Sequence, residues 1–386
     1  MRFGSMRTIL CTTGILIVYL FAGALAIGQA GQEPKPPMSE QVFKNVIVLK
    51  GIPVDEFMNT MGMFAAALSL NCTDCHVPES TSSLAKFADD TPLKLTARRM
   101  TLMMNNLNKT NFGGRPIVTC YTCHRGEVGP AKFVPNLAVQ YGAPSEDPNE
   151  VNVIRQSPNA PSPDQVFAKY IQALGGAQRV ASLTSFVAKG TYDGWETDHQ
   201  KVDVEVYAQA PVQRTVIVHM HIEDHVEDSV RAYDGRLGWI ASPDKPMPLM
   251  PLTGGNLDGA KTEAILSFPA SIKEGFTQWR AGGATIDDRD VVLVQGTTAA
   301  QTPIKLYFDA ESGLLVRVVR YAETAVGRIP TQIDYEDYRE VSGVKIPFRW
   351  TSTWTDGQAH TELSQVQTNV AIDAAKFAKP APAPVH

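Results

Sequence analysis

Two segments of this 386-residue chain hold residue types that do chemistry together at a fixed spacing. They are Cys72-Thr73-Asp74-Cys75-His76 and Cys120-Tyr121-Thr122-Cys123-His124, each reading C-x-x-C-H. Thiols three residues apart stand about one helical turn from each other, so both can bond the two vinyl groups along one edge of a porphyrin. The histidine that follows brings its imidazole under the iron. The pattern therefore points to two covalently bound c-type haems, held by Cys72, Cys75, Cys120 and Cys123, with His76 and His124 as axial ligands. Other uses of four cysteines fit less well. Paired zinc knuckles have about 15–20 residues between their CxxC units, whereas 44 residues, 76 to 119, separate Cys75 from Cys120. A redox-active dithiol calls for a βαβ context that the flanking sequence lacks, and a structural disulfide has no need of a histidine after each pair.

The elements upstream of each motif must supply or withhold a sixth iron ligand. Residues 53–70 (PVDEFMNTMGMFAAALSL) put Val54, Phe57, Met58, Met61, Phe64, Ala65 and Leu68 on one helical stripe. Pro53 suits the first helical position, and Asp55 and Glu56 suit the positive end of the dipole. Met58 and Met61 lie on the stripe; Met63 does not. A second helix runs from Thr91-Pro92 to Gly113-Gly114 with a stripe of Leu93, Ala97, Met100, Met104 and Leu107, and Met103 sits near its edge. A methionine on such a stripe is ordinarily core packing. Ahead of a CxxCH, either a thioether reaches the iron or the position stays open. Lys94, Arg98, Arg99, Arg115 and Arg125 are candidates to pair with haem propionates, with Arg115 and Arg125 preferred.

Composition sets the wider frame. The chain is 44% apolar and 19% charged with net charge −5, which suits two folded domains and gives no basic footprint for nucleic acid. Arg2 and Arg7 precede an apolar run from Ile9 to about Ile27, followed by small residues, the anatomy of an export signal cleaved after Ala30. The alternative is an uncleaved anchor, since the run approaches the ~20 residues a bilayer needs. The expected domains are a signal peptide at 1–30, a dihaem cytochrome c domain at 31–142, a Pro/Ser/Asn-rich linker at 143–163 and a β-domain at 164–380.

Residues from about Asn45 to Pro130 resemble the tetrahaem cytochrome c subunit of photosynthetic reaction centres, in its first two haem segments. The matching text is NVIVLKGIPVDEFMNTM with NCTDCH, then ARRM with VTCYTCHRG. The resemblance implies Met61 as the ligand opposite His76 and Met100 as the ligand opposite His124. Two features depart from the family: four haems are reduced to two motifs, and Asn111 to Arg115 hold no counterpart of a family histidine. Docking to a reaction centre is therefore not implied. His/Met ligation fills both axial positions and raises the reduction potential, so the implied role is passing single electrons between periplasmic or membrane-bound redox partners, not enzymatic turnover. A dihaem peroxidase would need one haem without its methionine.

The C-terminal part reads as short strands separated by turns, among them 185–192, 202–209, 215–223, 291–297, 304–309, 314–322, 331–340 and 346–355, after a helix at 163–174. Asp234-Gly235, Ser312-Gly313, Ser342-Gly343 and Asp356-Gly357 supply hairpin chemistry. QALGGAQRVASLTSFVAKGTY, LYFDAESGLLVRVVRY and IDYEDYREVSGVKIPFRW resemble the periplasmic lipoprotein-localisation family, a half-barrel around a helix with a cleft for acyl chains. The expected fold is thus multidomain α + β: a mainly helical N-terminal dihaem cytochrome c domain and a C-terminal antiparallel β half-barrel. That β-domain would serve docking or bind a hydrophobic molecule such as a lipid or quinone, the alternative function being a carrier with redox-sensing haems. His219, His221 and His225 have metal-ligand spacing but sit among acidic residues and read as polar strand surface, and the five tryptophans of this part read as core or cleft lining.

Overall fold

The computed structural model describes residues 35–130, 156–222, 225–243, 245, 247–298 and 301–384. The expected export signal, with Cys11, and residues 143–155 of the expected linker lie outside them.

In the N-terminal part, capping chemistry fixes the helices. Helix α1 (Val54–Leu68) starts after Pro53 and stops where Ser69 turns left-handed at φ 51°. The four-residue turn α2 (Cys72–Cys75) is opened by Asn71, whose side chain accepts from the Asp74 amide. Helix α3 (Pro92–Phe112) has Thr91 as its cap, accepting from the Lys94 amide at 3.2 Å, and ends at Gly113 with φ 63°. A second short turn, α4 (Cys120–His124), is capped by Thr119.

Helix α5 (Pro163–Ala173), boxed by Ser162 and Gln165, leads into the sheet. Its first strands are β1 (Ser185–Gly194), β2 (Val202–Gln209), β3 (Gln213–Ile222), β4 (His225–Tyr233), β5 (Gly238–Ala241) and β6 (Met250–Pro251). Helix α6 (Gly254–Ser267) follows, then β7 (Thr277–Ile286), β8 (Arg289–Thr297), β9 (Pro303–Asp309), β10 (Leu315–Thr324), β11 (Gly327–Val341), β12 (Val344–Trp354) and β13 (Gly357–Thr368). All pair antiparallel in one sheet of order β6-β5-β4-β3-β2-β1-β13-β12-β11-β10-β9-β8-β7, which is not closed because β6 and β7 do not pair.

This open sheet is strongly curled. Strands β3 and β10 are six places apart in it, roughly 29 Å if the sheet were flat. Yet Glu263 on α6 lies 3.8 Å from Arg214 of β3, 3.8 Å from Arg231 of β4 and 3.5 Å from Arg320 of β10. One carboxylate reaches both sides only if the sheet wraps the helix. Burial pushes the Glu263 carboxyl up, and the three guanidinium groups outweigh this and hold it below the ordinary carboxylate value. The main core lies inside the curl and joins Phe167, Leu174, Phe186, Val206, Phe308 and Leu363.

Pro37–His386 forms one unit, so α1 rests directly on one end of the sheet. Three loops hold it. Asp55, 1% exposed, accepts hydrogen bonds from the Thr253 amide (2.6 Å), the Thr253 hydroxyl (2.7 Å) and Asn256 (3.0 Å), and so caps α6. Gly62 admits Asp356 of the β12–β13 turn, whose oxygen would stand 3.0 Å from any Cβ there. The Ala325 amide of the β10–β11 tip reaches Thr60 Oγ1 at 3.4 Å.

These contacts correct the expected stripe of α1. The buried face is Val54, Asp55, Thr60, Gly62, Met63 and Ala67, while Phe57, Met58, Met61 and Phe64 are half-buried. Apolar periodicity misreads the helix because its packing partner is a set of loops that accept polar and small residues. Pro53 is likewise the residue before the first helical position, not that position itself.

Candidate functional site

Each CxxCH forms one capped helical turn, so the two thiols of a pair stand about one turn apart at its two ends. All four cysteines are free of disulfide. The first turn is held by Thr91, whose hydroxyl donates to the Cys75 carbonyl at 2.5 Å, and α3 packs against it. The second is held twice. Asn108 of α3, 5% exposed, donates to the Val118 carbonyl (2.7 Å) and accepts from its amide (2.9 Å), and the Gly126 amide donates to Ala67 of α1 at 3.0 Å.

The histidines differ. His124 Nδ1 lies 3.0 Å from the Glu127 carbonyl, which fixes the tautomer with Nε2 as the lone-pair nitrogen when Nδ1 donates. His76 has its ring edge on Phe87 (centroids 4.9 Å, 67°) and a buried Nδ1 with no hydrogen-bond partner. Burial and, after it, the charge of Lys94 push the His76 pKa down, favouring the neutral ring that ligates metals. The cysteines differ as well: burial pushes the Cys120 thiol up to about 11 and raises Cys75, whereas Cys72 and Cys123 are exposed.

Among the described residues, thirteen large apolar side chains stand well exposed, and eleven of them fall between Ile47 and Val128. They include Leu93, Leu95, Met100, Leu102, Met103 and Leu107 of α3 and Tyr121 of α4. Such a concentration of water-facing apolar surface beside two pairs of free thiols and two imidazoles fits tethered porphyrins, whose faces would cover it. The residues present thus fit the group.

Of the methionines, Met63 and Met104 are buried in one cluster with Ala322, Val326 and Ile329 of the sheet. Met104 was expected on the apolar stripe of its helix and Met63 off the stripe of α1; both pack on the β10–β11 hairpin. Met61 is half-buried and Met100 is 39% exposed. The cationic candidates separate too. Lys94 donates to the Phe87 and Asp89 carbonyls, and Arg98 to Asp90 and the Asn45 carbonyl. Arg99 donates to Thr96, Arg115 only weakly to Phe112 at 3.4 Å, and Arg125, left-handed at φ 53°, is exposed. Sequence reasoning missed Asn108 and the tertiary partners of Asp55; for Asn108 the available signal was a polar residue one turn after Met104 on the same face of the helix.

In the β-part, His219 pairs with Asp228 at 2.7 Å and His225 with Glu227 at 2.7 Å. Trp195, expected as core or cleft lining, is 67% exposed on the turn after β1, because that turn leaves the curled face of the sheet. Among the described residues, no helix is long and apolar enough to cross a membrane.

Fold and site together describe a helical segment with two CxxCH turns joined to an open antiparallel sheet. Residues 24–190 match the family model of the photosynthetic reaction centre cytochrome C subunit, and over this region the chain resembles that family. A stretch of 98 residues is 37% identical to the photosynthetic reaction center cytochrome c subunit of Thermochromatium tepidum, covering 24% of this chain and 23% of that protein. Another of 101 residues is 38% identical to the same subunit of Rubrivivax gelatinosus, covering 25% and 26%. The chain therefore spans about a quarter of the length of these curated relatives. A LolA superfamily protein from Nitrosomonas europaea aligns with 57% of this chain and 99% of its own length, at 14% identity and a TM-score of 0.39.

Proposed function

We propose that this chain is an exported dihaem c-type cytochrome that carries single electrons between periplasmic or membrane-bound redox partners and is not an enzyme. A His/Met-ligated c-type haem supplies reversible one-electron transfer at a raised potential. The chain's own residues do the rest. Cys72 and Cys75, and Cys120 and Cys123, form the thioether tethers; His76 and His124 give one axial nitrogen each; Met61 and Met100 give the opposing sulfurs; Arg115 and Arg125 face the propionates.

The observation that carries this reading is the repetition of one capped turn, with two free thiols and a following imidazole, beside the exposed apolar side chains of α3. The choice of methionines gains support from the burial of Met63 and Met104, which leaves Met58 and Met61 half-buried and Met100 and Met103 exposed. The proposed domains are 1–30, 31–142, 143–163 and 164–380. For the last, a hydrophobic-ligand role meets a cavity of about 100 Å³ inside the curl, lined by Leu183, Phe186, Val206, Val344 and Leu363, which is small beside the ~300 Å³ of ordinary ligand pockets. Docking or scaffolding is the reading we favour for it.

The test is to produce the full chain in a host competent in cytochrome maturation and count haem by pyridine haemochrome. We expect two per chain, and loss of the far-red Met–Fe(III) band in stages in Met61→Ala and Met100→Ala. A colourless protein sinks the proposal, and an undiminished band in both variants sinks the ligand assignment.

A further inference from the structure

We infer that the tip of the β10–β11 hairpin, Ala325-Val326-Gly327, is the apolar backing of the second haem site, behind Cys120 and Thr119, and holds that haem's reduction potential up by keeping water from this side of the site. The inference rests on the haem reading above and goes beyond it by giving the β-domain a share in the redox site.

The contact is specific. Val326 is fully buried and shares one apolar cluster with Met63, Met104, Ala322 and Ile329, against which Phe64, Val118, Cys120 and Ala325 pack. Gly327 has φ +149°, a conformation L side chains rarely adopt, and a Cβ there would stand 2.8 Å from Thr119 Cγ2 and 3.3 Å from Met63 Cε. Thr119 is the cap of the second attachment turn, so the hairpin backbone abuts the residue that starts that turn. The tip is stiffened from within: the Thr324 hydroxyl donates to the Gly327 carbonyl at 2.6 Å and accepts from the Val326 amide at 3.2 Å. It is anchored from outside by the Ala325 amide on Thr60.

The cluster that Val326 belongs to packs on Cys120 and so lies near whatever Cys120 is covalently joined to. The ferric form of a haem carries one more positive charge than the ferrous form. A dry, apolar wall penalises the more charged state and raises the potential, and a polar group or water in its place lowers it. The first turn has different neighbours, Phe87 and the Lys94 side chain among them, so a change at the tip acts on one haem only.

The experiment is potentiometric titration of the haem-loaded full chain as wild type, Val326→Thr, Val326→Ala and Ala325→Ser, with Trp195→Phe as a remote control. Thr keeps the shape of Val and adds a hydroxyl, so the fold is retained; Ala325→Ser decides if it is not. We expect two haems throughout and one midpoint falling in Val326→Thr. The oxidised-to-reduced ratio of that haem at fixed ambient potential rises roughly three- to tenfold, tenfold being about 59 mV for one electron. Val326→Ala moves the same midpoint the same way, Ala325→Ser less so, and Trp195→Phe moves neither. Two haems with both midpoints unmoved, or both moving together, overturn this inference and leave the dihaem reading standing. A wild type without haem overturns the dihaem reading itself, and the inference with it.

Discussion

The two CxxCH turns are alike in their own residues and unlike in what encloses them. Both are single helical turns with a reciprocal cap at the preceding residue. Around the first, the enclosing groups named above come from nearby in the chain: Thr91 on the Cys75 carbonyl, Phe87 against His76, Lys94 on the Phe87 carbonyl. Around the second, the cover arrives from a hairpin whose Ala325 meets Thr60 across 265 residues. The same local chemistry is thus set in a local frame in one case and in a tertiary one in the other. A motif specifies bond formation, and its surroundings specify dryness and rigidity.

Removing one turn at a time is the largest test of their independence. Cys120→Ser with Cys123→Ser is expected to halve the haemochrome content while the first haem persists, and Cys72→Ser with Cys75→Ser to do the converse. If either pair removes all the haem, the turns act as one site. The chain made without haem attachment sharpens the contrast through thiol chemistry. With its pKa pushed from the ordinary 9.0 to about 11, Cys120 holds about a hundredfold less thiolate at pH 8 than an ordinary thiol. Alkylation followed by peptide mass spectrometry should find it the slowest of the four, gaining reactivity only as pH climbs toward about 11. Equal labelling of all four would dissolve the difference between the turns.

Asp55→Ala should come next. It strips the cap from α6 and leaves the Thr253 amide and hydroxyl without their acceptor, a cost of about 2–3 kcal/mol in denaturant unfolding. Because α1 and the hairpin share this anchorage, Cys120 should react faster in the variant while Cys75 does not. Trp195→Ala, on the exposed turn after β1, should stay within about 0.5 kcal/mol and alter neither thiol.

Spacing marked the two CxxCH segments in the sequence, since the motif is confined to five consecutive residues, and each folds as one capped turn. Capping and turn residues did the same for α3, from Thr91 to Gly113, and for the β9–β10 and β12–β13 turns at Ser312-Gly313 and Asp356-Gly357. Strand β2 matches its expected 202–209 span because its apolar and polar residues alternate strictly. Helix α6 carries no such signal: Gly254, Gly255 and Gly259 read against a helix. Gly255 is there because a Cβ would stand 2.5 Å from the Ala322 backbone of β10. Strand β13 (GQAHTELSQVQT) is hidden by its polar face, and the roles of Asp55, Met63 and Met104 by partners that are distant in sequence.

The hairpin that covers the second turn also sets an order of assembly. A polypeptide emerging N-terminus first exposes Cys120 and Cys123 long before Val326 leaves the ribosome. A catalyst that forms the proposed thioether bonds would therefore meet an unroofed turn, and the roof would close over a finished linkage. Slowing the arrival of the C-terminal half would lengthen that window, and pre-folding it would shut the window before the cofactor is in place.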